Sequence, residues 1–179
     1  MSLQRLGPLL VLGLAMNLIL GCGGGESSRL VARLPLDDAA ELVPGDSGAT
    51  IDHDVTHDGG GAFRFYSRGI HKVAVVEFPI TKLRADSLKV TLMARTEALE
   101  RPFTIELILY DSEGDGRFLT YEVLRMHRTL DWYPVTFGFQ LGEKEQPVRG
   151  RLSVIVPAGV VWIDDIAVWD GEASEMSLE

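Results

Sequence analysis

Two stretches near the middle of the chain, residues 87–95 and 103–110, put an apolar side chain at every second position and a mostly polar one between. In the first, Leu88, Val90, Leu92 and Ala94 oppose Lys89, Thr91, Met93 and Arg95. In the second, Phe103, Ile105, Leu107 and Leu109 oppose Thr104, Glu106, Ile108 and Tyr110. A period of two marks a β-strand with one face on a core, because a helix would scatter these residues around its circumference. Residues 62–66, 71–78, 118–125, 132–141, 151–156 and 160–169 read as strands punctuated by Gly, Pro, Asp and Ser, and residues 30–34 supply an edge strand. No internal stretch keeps a helical period beyond one or two turns, and no unit recurs at fixed spacing, which disfavours a propeller or solenoid. The pattern predicts an all-β fold, an antiparallel two-sheet β-sandwich of jelly-roll type.

In residues 160–169 the alternation slips. Val161 and Ile163 point inward, and the next inward pair is Ile166 and Val168. One extra residue at Asp164 and Asp165 must be absorbed, which is what a β-bulge does.

The N-terminus follows another logic. Arg5 precedes an uncharged run at residues 9–20, and Gly21 and Cys22 follow at once. This order resembles a bacterial lipoprotein signal peptide, which implies cleavage after Gly21 and lipidation of Cys22. A membrane-spanning helix needs about 20 apolar residues, and this shorter run ends in helix-breaking glycines. The resulting division is a signal peptide at 1–21, a lipidated Cys22 with a Gly/Ser-rich tether at 22–34, the sandwich at 35–171 and a tail at 172–179. Gly23 after the cysteine, in place of Asp, implies the outer membrane of a two-membrane bacterium, facing the periplasm or the cell surface.

Composition narrows the chemistry. The 179 residues suit one core, and 46% hydrophobic with 24% charged residues are ordinary globular values. A net charge of −9 lacks the basic footprint that nucleic acid or an anionic lipid surface requires. Cys22 is the only cysteine, so there is no disulfide framework and no thiolate zinc site. The chain has no Gly-x-Ser-x-Gly sequence and no phosphate-cradling glycine loop, and the expectation is a non-catalytic protein.

Four landmarks fall in order: Gly59-Gly60-Gly61-Ala62-Phe63-Arg64-Phe65, the strand at 88–95 ending in Ala94-Arg95, the Trp-led strand from Trp132, and Val161-Trp162-Ile163-Asp164-Asp165-Ile166. Together they resemble the galactose-binding-like β-sandwich family, which includes many bacterial carbohydrate-binding modules. The family often opens with an Asn-Gly-Asp-Phe-Glu type motif and a nearby Trp, whereas this chain has Leu36-Asp37-Asp38-Ala39-Ala40-Glu41. The resemblance implies glycan binding. It also implies a structural Ca²⁺ held between the closing strand and the N-terminal segment, for which Asp37, Asp38, Asp164 and Asp165 are the candidates, with Glu41 nearby. The other reading of the pair is that Asp164 caps loop amides and Asp165 faces water.

Sugar recognition needs aromatic faces for the ring and planar polar groups for its hydroxyls. On the phase opposite the core, Arg64, Tyr66, Glu106, Tyr110 and Trp162 supply them. Alternatively, the aromatics cover the sheet and Arg64 with Glu106 forms a surface ion pair. His53 and His57 would lie about 13 Å apart on an extended strand, so residues 52–58 read as an exposed loop. Residues 111–122 match a calcium-loop spacing, yet strands flank them on both sides and a hairpin is expected. The overall expectation is a lipid-anchored, glycan-binding envelope protein of undetermined oligomeric state. A structural or protein-interaction lipoprotein and a small glycan hydrolase using Glu106 and Asp165 remain as alternatives.

Overall fold

The computed structural model describes residues 28–38, 49–69, 71–111, 118–126, 129–143 and 145–171. Cys22, segment 1–21, Glu41, the hairpin tip at 112–117 and the tail 172–179 lie outside the described residues. Ten strands follow one another, with no helix among the described residues: β1 (Arg29–Leu34), β2 (Ala49–Asp52), β3 (Ala62–Ser67), β4 (His71–Pro79), β5 (Ser87–Glu97), β6 (Phe103–Tyr110), β7 (Phe118–Met126), β8 (Leu130–Gln140), β9 (Arg149–Val156) and β10 (Gly159–Asp170). A six-stranded sheet takes the order β2-β3-β10-β5-β8 with β1 also on β10, and a four-stranded sheet the order β4-β9-β6-β7. Every pairing is antiparallel. The β-sandwich expected from the alternation is the observed architecture.

The inward phase of each sheet fills the space between them. Phe63, Phe65, Leu88, Leu92 and Phe137 of the larger sheet meet Phe78, Phe103, Ile105, Leu107, Leu109 and Leu152 of the smaller, all fully buried. Burying each such side chain stabilises the fold by roughly 1.5–3 kcal/mol, so these inward rows dominate the folding energy. Gly150 in β9 sits opposite Phe78, and a Cβ there would collide with the Phe78 ring.

β10 organises the larger sheet. One flank pairs with β5 along its length, while the other is shared, residues 159–163 with β3 and residues 166–170 with β1. The register slips between Asp164 and Ala167, and Val161, Ile163, Ile166 and Val168 are all fully buried. The phase slip in the sequence is therefore a bulge, placed where β10 changes partner. Asp165 absorbs it at φ 51°, a left-handed conformation that Asp tolerates better than most residues.

Two boundaries differ from the sequence reading. Residues 29–34, assigned to the tether, form β1 and belong to the sandwich, as the edge-strand reading of 30–34 had it. β2 was not anticipated, because four residues, three partly buried and Thr50 exposed, running into His53 and Asp54 are too few to display a period. The 111–122 segment is a β6–β7 hairpin in its described part. Glu122 accepts a hydrogen bond from the Gly138 amide at 3.1 Å, linking edge strand β7 to edge strand β8 of the other sheet.

Candidate functional site

The two outer faces of the sandwich carry different chemistry. On the six-stranded sheet, Trp162 points away from the core, opposite in phase to Val161 and Ile163. Its register partners are Arg64 on β3 and Arg95 on β5, whose guanidinium carbons lie 6.0 and 5.6 Å from the indole centroid. Trp162 Nε1 donates to Asp52 Oδ2 at 2.9 Å. That bond is the main cause holding the Asp52 carboxyl below its ordinary range; burial opposes it, and the Asp54 and Val55 amides and Arg64 assist it. The ring is only 4% exposed, so it does not offer an open platform to a sugar. Tyr66, by contrast, is 50% exposed, and its hydroxyl accepts a hydrogen bond from Arg68 Nε at 3.1 Å. Arg64 and Arg68 both lie 5.9 Å from its ring centroid.

The paired aspartates fasten this face to its surroundings. Asp164 is fully buried and accepts two backbone hydrogen bonds, from His57 N at 2.9 Å and Asp165 N at 2.7 Å. Burial nevertheless dominates and pushes its carboxyl up to about 6, with the Asp58 charge adding to it. Asp165 pairs with Arg33 of β1 at 2.8 Å. Asp37 accepts the Gly61 amide at 2.7 Å, an approach possible because Gly60 has no Cβ to collide with that carboxylate. Asp38 is exposed. Among the described residues, no three His, Cys, Asp or Glu groups converge as a metal cage. These oxygens are arranged as amide caps and an ion pair, which does not fit the oxygen cage that calcium takes. His53 Nδ1 meets the Gly60 carbonyl at 3.1 Å, whereas the His57 ring packs edge-on to Trp132 at 5.6 Å. The histidines thus have separate partners and belong to a loop.

The four-stranded sheet presents a strip of aromatic and ionic side chains. Tyr110 stands between Arg149 on β9 and Phe118 on β7, and one row along Ile108 stands between Arg151 and Tyr121. Phe118 and Tyr121 are 48% and 60% exposed, with ring centroids 5.6 Å apart. The Arg149 guanidinium lies 4.3 Å from the Tyr110 ring centroid. Glu77 on β4 ties Arg149 and Arg151 together, at 2.7 and 2.9 Å. In the next row Glu106 lies between Ser153 and Val123.

The five residues singled out for sugar binding therefore divide. Arg64, Tyr66 and Trp162 gather on the six-stranded sheet, while Glu106 and Tyr110 lie on the other outer face, so the five do not line one groove. Alternation within a strand gives the face of a residue but not the sheet to which the strand belongs. For the same reason Arg64 does not pair with Glu106; its carboxylate partner is Asp52 at 3.8 Å. Glu106 and Asp165 are likewise on different sheets. Phe118, Tyr121, Glu77, Arg149 and Arg151 escaped the sequence reading. β7 carries apolar residues on both phases, which hides its outward side, and the β9 strand was begun two residues late.

No family model and no curated protein matches the chain. Solved structures do. A family 61 carbohydrate-binding module in complex with β-1,4-galactotriose aligns with a TM-score of 0.55 at 18% identity, over 79% of this chain and 98% of the module. The fold is that of a carbohydrate-binding module. A xylan-binding family 22 module from Paenibacillus barcinonensis aligns with a TM-score of 0.53 at 9% identity, over 82% and 97% of the two chains. A second module of family 16 aligns with a TM-score of 0.51 at 10% identity, over 70% and 86%. At such identities the likeness concerns the carbohydrate-binding-module sandwich itself, and the site has to be argued from this chain's own residues.

Proposed function

We propose that this domain binds a glycan, without catalysis, on the outer face of its four-stranded sheet. Tyr110, Phe118 and Tyr121 form the aromatic floor, and Glu77, Glu106, Arg149 and Arg151 form the polar rim. The observation that carries the reading is the exposed Phe118–Tyr121 pair beside Tyr110, on a sheet face that also carries Glu77, Arg149 and Arg151. Aromatic faces take the apolar side of a sugar ring, and carboxylates and guanidiniums hydrogen-bond its hydroxyls. The Glu77 bridge holds both arginines in place, which lowers the ordering entropy lost on binding. The galactotriose and xylan named for two structures of the same fold make a neutral β-linked chain the first ligand class to try.

A non-catalytic role is supported by the placement of the carboxylates: Glu106 and Asp165, the pair a hydrolase could use, lie on different sheets, and Glu77 serves as a bridge between two arginines. The reading also places the protein on the bacterial envelope through lipid on Cys22, on the strength of Arg5, the uncharged run and the Gly21-Cys22 step. Affinity gel electrophoresis in β-1,4-galactan and xylan tests the binding. Retardation that is lost in Tyr121→Ala, at unchanged thermal stability, is the expected result. Equal mobility of wild type with and without every glycan would refute it.

A further inference from the structure

We infer that the outer face of the six-stranded sheet is a second site, independent of the first, for the carboxylate of an acidic sugar. Arg64 and Arg95 form its anion clamp and Tyr66 its ring platform. The two arginines occupy the strands on either side of β10, and two inter-strand spacings put their backbones about 10 Å apart. Between them stands Trp162, fixed by its bond to Asp52, with both guanidiniums against its ring. The clamp is thus positioned before any ligand arrives.

The chain's own carboxylates leave the clamp available. Arg64 meets Asp52 at 3.8 Å and Arg95 meets Asp131 at 3.6 Å, distances of ion pairs too long for hydrogen bonds. Arg68, 5.9 Å from the Tyr66 ring centroid, adds a third guanidinium to the same face. Guanidinium is the group that takes a carboxylate in a planar, two-bonded fashion. Tyr66, beside Arg64 and half-exposed, gives a sugar ring the apolar contact that a simple anion lacks. A uronate satisfies both halves of the site.

The test is titration calorimetry of the full-length protein with sodium polygalacturonate and with its methyl ester. The account expects binding to the acid form, weakening in high salt, and none to the ester. Arg95→Gln should lower affinity about tenfold at an unchanged melting temperature, the value of one charge-assisted hydrogen bond. Asp131→Asn removes the competing carboxylate and should tighten binding. Tyr121→Ala should leave uronate binding intact while it abolishes neutral-glycan retention, which keeps the failure of either site distinguishable. Absence of binding, equal binding of the ester, indifference to Arg95→Gln, or equally strong binding of poly-glutamate would overturn the inference.

Discussion

Trp162 Nε1 and Asp52 Oδ2 are joined by a hydrogen bond of 2.9 Å across 110 positions of sequence. It ties the short strand β2 to the closing strand β10, and Arg64 and Arg95 on either side of the indole help to leave it 4% exposed. Trp162→Phe keeps most of the ring and removes the donor, leaving a half-buried carboxylate with one partner fewer. A loss of about 1–3 kcal/mol in urea denaturation is expected, the desolvation cost of such a group. Asp52 is held below its ordinary pKa, so its contribution is present above the unfolded value and fades as pH falls through the folded one. The variant should show a weaker fall in stability on acidification.

Asp164 has the opposite sign. Burial raises its carboxyl to about 6, so the neutral form is favoured in the folded state. Its contribution is complete below the ordinary value near 3.8 and is lost as pH rises through about 6. Melting temperature followed from pH 4 to pH 7 should carry this downward component in the wild type, and Asp164→Asn should flatten it. An unchanged profile in the variant would contradict the assignment.

The same carboxylate decides the calcium question. Asp164 caps the His57 and Asp165 amides, Asp165 pairs with Arg33, and Asp37 caps Gly61. An ion that bound only the folded state would raise the melting temperature by mass action. Chelator and added Ca²⁺ should therefore leave it the same, and a rise with Ca²⁺ would show that these groups rearrange around an ion.

Much of this architecture could be read from the sequence, because period two is a local property. The alternation of β5 and β6 and the slip at Asp164 all reappear as burial. Strand-to-sheet assignment is not local, and that is where the five-residue sugar site came apart. Tyr110 and Tyr66 share an outward phase, yet their strands lie in different sheets. β2 was too short to announce itself, and the mixed phases of β7 concealed Tyr121.

Gly150 illustrates a constraint that no pattern displays. The Phe78 ring occupies the space a Cβ would take. Gly150→Ala should destabilise the fold by about 1–3 kcal/mol through overpacking, measured by thermal or urea unfolding. Relief by a second change, Phe78→Leu, would identify the ring as the obstacle.

The central claim is that neutral glycan lies across Tyr110, Phe118 and Tyr121. Amide chemical-shift mapping by nuclear magnetic resonance, with β-1,4-galactotriose and xylohexaose titrated into the isotopically labelled protein, addresses it directly. The account predicts saturable shifts in β6, β7 and β9, with β3 and β10 unmoved. Shifts confined to β3 and β10, or none with either oligosaccharide, would contradict it.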